Sequence, residues 1–380
     1  MIRYRKETAL ESDERPVKPL MITSERTLSD YAIALRHILV GLADESVPVG
    51  LICPAESDVE SLVPLPIEVI KHPAYELPLL CLQSRKALLD KLAKFGPTVL
   101  HCLCESKAAF TRKLSRRIGV PYVLSVNSLR KRHERLSISA SRCAKIIVPA
   151  KSVAENIAKR YPKFERRIEQ INIGTFVEDD VCCFNKESEL VNLVTCFFGQ
   201  NAHAFERFLI AIKRLASDGY KFMLVIMSDG KAERRLRKML TDPVFAEIVI
   251  IVPRLEPWRS VLTAGDIYIR PTASDSFEPL LIEAISVGNA VAACRGGADD
   301  LVVEGKTAAV FNEGDEASIY DILRNLMTNR EVARKLAKSA QEFLRKEHSV
   351  SAMVSSLVEV YRHAQIISPA IIENKNSDLT

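Results

Sequence analysis

The chain is 380 residues long, 47% hydrophobic and 27% charged, with a formal net charge of +5. That is the make-up of a globular protein long enough for two domains, each with its own core. No apolar run reaches the roughly 18–20 residues of a membrane-spanning helix, and nine scattered cysteines, an odd number, point to reduced thiols in the cytosol.

Residues 1–17 carry basic side chains with no apolar stretch behind them, so they read as a flexible lead-in and not as a signal peptide. Pro19 to Thr23 predicts a buried strand. From Asp30 to Gly41 the apolar residues Tyr31, Ala34, Leu35, Ile38 and Leu39 recur at helical spacing, with Ser29 as N-cap. Strands are expected at Val47 to Cys53, Ile67 to Ile70 and Thr98 to Cys102, with a helix from Ser84 to Phe95. In the run His101-Cys102-Leu103-Cys104, strand alternation puts both thiols on one side and His101 on the other, which argues against a metal site.

Between Lys107 and Arg167 there are 17 Lys/Arg and only 3 Asp/Glu. This block holds a basic amphipathic helix (Lys107 to Ile118), a strand (Pro121 to Val126) and a further basic helical stretch leading to Ala144. The strand Lys145 to Val148, the helix Val153 to Tyr161 and the strand Ile168 to Ile173 complete a first domain over residues 18–178. Aromatics are barely interleaved with the cations, so nucleic acid is not an expected partner. An anionic membrane surface is.

Residues 179–190 read as a linker. The strand and helix alternation then resumes over 191–348, with strands at Val191 to Phe198, Phe222 to Met227 and Ile248 to Val252. Helices are expected at Phe205 to Ala216, Ala232 to Leu240 and Trp258 to Thr263, and later at Glu316 to Met327 and Arg330 to Glu347. A last helix lies within 349–365 and a polar tail within 366–380. Such alternation predicts βαβ units and parallel sheets, hence an α/β protein with ligands at the carboxyl ends of its strands.

The most informative stretch runs from Asp266 to Phe311. A strand (Ile267 to Ile269) meets Pro271, a polar loop follows, and a helix starts near Pro279 and stops at Gly288. A second strand (Ala290 to Ala293) leads to Gly296-Gly297. Proline in the first turn leaves backbone N–H groups free for an anion, and Asp275 and Glu283 flank that end.

In this stretch Pro271-Thr272, Asp275, Phe277, Glu283-Ala284, Gly288 and Gly296-Gly297 stand in unbroken register, continued by Asp300 and Gly305. It resembles the C-terminal domain of family 4 glycosyltransferases, the retaining, nucleotide-sugar-dependent enzymes of the GT-B fold. The resemblance extends over about residues 19 to 365 with falling specificity. It implies two Rossmann-like parallel-sheet domains facing across a cleft, with the last helix crossing back to the first domain. It also implies transfer of a hexose from a nucleotide diphosphate sugar to a glycan or lipid acceptor, in the cytoplasm or at the inner face of the membrane, with no metal and no other cofactor. Glu283 would accept the ribose hydroxyls and Asp275 the hydroxyls of the donor sugar. Gly199, Asp229-Gly230, Phe277, Pro279 and Leu280 would line the donor, and His101 and Asn127 would complete the catalytic set.

The chain departs from the family where charge develops. The Arg and Lys that grip the donor diphosphate are replaced by Gln200 and His203, with Arg207 one turn further on as a substitute cation and Arg270 and Arg295 as others. Fixed cations at such a place are worth orders of magnitude in rate. The loop after the first strand, Ser24-Glu25-Arg26-Thr27, has no glycine, and the family's active-site His is Asn127, which cannot exchange protons near neutral pH. Two readings result: a hexosyltransferase, or a degenerate relative acting as a binding or scaffold subunit.

Overall fold

The structure is a computed structural model that describes residues 16–373 except 58, 60–66, 73–80, 186–187, 200, 255–257 and 299, with side chains of 81–85 and 367–373 left aside. Most of the expected lead-in, the end of the tail and Gln200 therefore lie outside the described residues.

The first half forms β1 (Pro19–Ile22), α1 (Glu25–Asp30), α2 (Ala32–Asp44), β2 (Gly50–Pro54), β3 (Glu68–His72), α3 (Cys81–Phe95), β4 (Val99–Cys102), α4 (Ala108–Ile118), β5 (Tyr122–Ser125), β6 (Cys143–Val148), α5 (Lys151–Arg160) and β7 (Ile168–Gln170). The second forms β8 (Val191–Phe197), α6 (Ala202–Ser217), β9 (Phe222–Ser228), α7 (Gly230–Met239), α8 (Pro243–Ile248), β10 (Val249–Val252), α9 (Arg259–Leu262), β11 (Ile267–Arg270), α10 (Pro279–Ser286), β12 (Ala290–Cys294), β13 (Ala309–Phe311), α11 (Glu316–Thr328) and α12 (Arg330–Glu347), before α13 (Val350–Glu373).

Two all-parallel sheets result, in the orders β3-β2-β1-β4-β5-β6-β7 and β10-β9-β8-β11-β12-β13. Helices cover both faces of each, so the strands read as continuous apolar runs, as buried parallel strands must. In each sheet the first strand is flanked by strands that wind in opposite directions. The crevices at β1/β4 and β8/β11 are thus the switch points where doubly wound sheets bind ligands. α13 leaves the second domain and packs Met353, Leu357 and Tyr361 into the core of the first, beside Leu35, Leu39 and Leu42 of α2. The chain is an α/β protein of two Rossmann-like domains, as its pattern predicts.

Two local expectations change. The helix after β1 begins at Glu25, because Ser24 and not Ser29 is the N-cap, its side chain accepting from the Thr27 amide at 3.2 Å. The basic stretch 127–142 is not helical. Its backbone amides are taken by outside acceptors, including Asn156 Oδ1 at Arg130, Tyr161 Oη at Leu136 and Tyr122 Oη at Ser139, and such bonds compete with a helix's own ladder.

Candidate functional site

On the second sheet's carboxyl edge, Gly199 follows β8 in a left-handed conformation (φ 88°), and Asp229 and Gly230 (φ 46°) follow β9 to open α7. Phe197 and Ser228 are partners in the parallel register, so these turns are neighbours. α6 begins at Asn201, whose side chain accepts from the Ala204 amide. His203 sits in its first turn with 87% of its side chain exposed. Arg207 points to Glu316 of α11 at 3.5 Å, which makes it a surface ion pair. Arg295 pairs in the same way with Glu304 at 2.7 Å. Arg270 is 2% exposed and donates to the carbonyls of Cys294 and Gly296 with Glu278 beside it, so it buttresses the Gly296 loop.

β11 then delivers the loop that carries Asp275 and Phe277 into α10. Proline at the first helical position and glycine at φ 84° after the last turn give the short helix both its ends. Phe277, Pro279 and Leu280 are buried at its start. Glu283, its fifth residue, is 1% exposed. Oε1 accepts from Thr175 Oγ1 at 2.7 Å and Oε2 from Arg259 Nε at 2.9 Å. The same guanidinium donates to the Phe176 carbonyl, to Ser286 Oγ and to Glu178, so Arg259 fastens α10 to the segment joining the domains.

Asp275 faces the other way, across the cleft, where its carboxylate meets Lys131 Nζ at 3.1 Å with both side chains about 60% exposed. The backbone meets there too. Leu129 N donates to the Asp275 carbonyl at 2.7 Å and Phe277 N to the Asn127 carbonyl at 2.9 Å, a short antiparallel bridge between loops of the two domains. Tyr31 Oη donates to the Phe277 carbonyl at 2.9 Å, and Arg254 reaches from beyond β10 to Asp30 at 2.8 Å. Asp275, Phe277 and Asn127 are therefore brought together.

His101 is set apart from this seam. It is 1% exposed, with Nδ1 bonded to Tyr361 Oη at 2.6 Å and Nε2 to Ser125 Oγ at 2.8 Å. Burial pushes its pKa down to about 3, so the ring is neutral and both nitrogens are engaged. In this arrangement the uncharged ring staples β4, β5 and α13. Asn127 uses Nδ2 on the Leu103 carbonyl and its amide on Glu105. Among the described residues no group of three or more His, Cys, Asp or Glu is placed to hold a metal. Sequence reasoning missed Tyr31, Lys131, Thr175, Arg254 and Arg259. The last two left a faint trace, as arginines on either side of the chain's one tryptophan.

Residues 32–176 match the family "Glycosyltransferase Family 4", and residues 192–329 match "Glycosyl transferases group 1". The chain carries the two domains of a GT-B glycosyltransferase. A sulfoquinovosyl transferase of Arabidopsis thaliana is 22% identical over 301 residues, 71% of this chain and 58% of that protein. The GT-B chain thus spans little more than half the length of that curated relative. Its fold superposes on a glycosyltransferase from Rickettsia africae with a TM-score of 0.75 at 12% identity, covering 92% of this chain and 98% of the other. Anabaena HepE, solved with UDP, gives 0.72 at 12% identity over 90% and 99% of the two chains. Sucrose-phosphate synthase from Thermosynechococcus elongatus gives 0.71 at 15%, over 91% and 98%. At such identities the likeness establishes the GT-B architecture.

Proposed function

We propose that this GT-B chain is a retaining glycosyltransferase that moves a hexose from a nucleotide diphosphate sugar to a glycan or lipid acceptor. The observation that carries the reading is the gathering of Gly199, Asp229-Gly230 and the Asp275 to Leu280 loop along one carboxyl sheet edge, facing the first domain at a switch point. Anabaena HepE has been solved with UDP-glucose, which supports a donor of that class. In this reading Asp275 leaves Lys131 to take donor-sugar hydroxyls, and Glu283 exchanges Thr175 for the ribose. Gly199, Gln200, His203 and the free amides opening α6 lie along the diphosphate. Phe277, Pro279 and Leu280 wall the sugar, and Asn127 faces it from the first domain.

Peripheral attachment at the cytoplasmic face of a membrane belongs to the same proposal. On α4, Arg112, Lys113, Arg116 and Arg117 are all exposed, whereas the Arg130 side chain is only 16% exposed. Among the described residues no helix is long and apolar enough to cross a membrane. Co-sedimentation with phosphatidylserine vesicles is expected to drop when those four α4 cations become Ser, and an unchanged pellet would reject the attachment.

Calorimetric titration with UDP, GDP and ADP and their sugars tests the donor. Micromolar binding by one of them is expected, with Gln200→Arg plus His203→Lys tightening it about tenfold or more by restoring charge-assisted bonds. A folded protein that binds none of them would overturn the transferase reading in favour of a scaffold subunit.

A further inference from the structure

Between the first sheet and the helices α2 and α13 lies a half-open, mainly apolar pocket that encloses a cavity of about 60 Å3. Leu35 and Ile38 of α2, Met353 and Leu357 of α13, Ile147 of β6 and Ile171 just after β7 supply much of its wall. Five of its lining residues are polar: Thr27, Tyr31, His101, Ser125 and Asn127. Each of them already makes a side-chain hydrogen bond within the protein. His101 has both ring nitrogens engaged, one of them by Ser125 Oγ. Thr27 Oγ1 is bonded to Ser24 Oγ, Tyr31 Oη donates to the Phe277 carbonyl, and Asn127 Nδ2 donates to that of Leu103.

A hydroxylated ligand entering this space would give up its water for few replacements, because ten of the fifteen lining residues are apolar. An aliphatic chain would gain from every methylene it buried. The position is as telling as the polarity. Tyr31 and Asn127 line the pocket and are also the residues that meet Phe277 across the interdomain seam. A chain lodged here has its polar end beside the Asp275 to Phe277 loop. Lys131, exposed and 3.1 Å from Asp275 of that loop, suits an anionic headgroup.

We infer that this pocket receives the aliphatic chain of an amphiphilic acceptor, so that the acceptor is a lipid and not a free glycan. The word acceptor rests on the transferase reading; the preference for an aliphatic chain does not.

The test is calorimetric titration of the full chain with methyl, hexyl and octyl β-glucosides below their micelle concentrations. Affinity is expected to rise about fourfold per methylene from hexyl to octyl, the equivalent of about 0.8 kcal/mol each, with no binding by the methyl compound. Ala34→Trp, which fills the pocket, should abolish octyl binding by a protein whose circular dichroism and UDP affinity are unchanged. Ala34→Met, a milder filling, should weaken it at least tenfold and covers the case in which tryptophan prevents folding. Equal binding of methyl and octyl glucosides, or octyl binding unmoved by both substitutions, would overturn the inference. Octyl binding by a protein that binds no nucleotide would uphold the apolar pocket while removing the transferase reading.

Discussion

Arg259 donates from Nε to Glu283 Oε2 over 2.9 Å, a largely covered side chain (26% exposed) holding a carboxylate that is 1% exposed. Its other N–H groups bind the segment between the domains at Phe176 and Glu178. Removing one partner of such a pair leaves an uncompensated charge inside, which costs about 3–5 kcal/mol. Arg259→Met is therefore expected to lower unfolding stability by about 3 kcal/mol in urea titrations. Glu283→Gln added to it should recover part of the loss, because the stranded charge goes with its partner. A single variant as stable as the parent, or a double variant worse than additive, would show that the pair does not anchor α10.

Thr175 supplies the second bond to the same carboxylate, 2.7 Å from Oε1. Thr175→Val keeps the shape and leaves one buried oxygen without a donor, at a cost of about 1–3 kcal/mol. If ribose hydroxyls come to Glu283, UDP refills that position. The thermal shift produced by saturating UDP should then be larger in Thr175→Val than in the parent. Equal shifts would place the ribose elsewhere.

His101 makes a pH prediction whose sign follows from burial. Its pKa is pushed down to about 3, against an unfolded value near 6.5. Below pH 6.5 the unfolded chain takes up a proton that the folded one refuses. Stability is thus full above 6.5 and falls by about 1.4 kcal/mol per unit as pH drops toward 3. His37, also buried, has its pKa lowered chiefly by desolvation and contributes in the same direction. Urea titrations between pH 4.5 and 6.5 should show a shallower slope for His101→Gln than for the parent. A slope untouched by the substitution would mean that the histidine is protonated in the fold. As a neutral, doubly bonded ring, it should also leave the pH profile of any transfer reaction unmarked in this range.

Much of the frame was readable because its signals are local. Alternating apolar runs, the proline at the start of α10 and the glycine after it specify backbone shape within a few residues. The register from Pro271 to Gly297 likewise placed Asp275, Phe277 and Glu283 on one loop and helix. What the chain did not disclose depends on tertiary partners. Ser29 and Ser24 are equally good caps by type; in the fold Ser24 caps α1, and Tyr31 at the α1/α2 junction donates to the distant Phe277 carbonyl. The basic stretch after β5 has helix-forming residues, yet Asn156, Tyr161 and Tyr122 claim its amides from other parts of the fold. Arg259 lies 24 residues before Glu283, a spacing that no periodicity connects. His101 falls where the family keeps a histidine, but its neutrality comes from burial beneath α13, whose Tyr361 bonds its ring from 260 residues away.

The two passages of chain between the domains cross at Gly174. Its amide lies 3.1 Å from Met353 Sδ and its carbonyl 3.2 Å from His37 Nδ1, while the next amide, of Thr175, donates to the His348 carbonyl at 2.9 Å. A Cβ placed on Gly174 would come within 2.7 Å of the Ser349 carbonyl oxygen and the Val350 Cα. Both are backbone atoms, so no rotamer change relieves the contact and α13 has to move. Gly174→Ala is expected to cost about 1–3 kcal/mol, as overpacking in a closed core does. Because α13 is the element that returns from the second domain to the first, the same change should loosen the domains against each other. Small-angle scattering of Gly174→Ala should then give a larger radius of gyration than the parent under conditions where both are folded. An unchanged radius together with unchanged stability would show that the crossing has room to spare.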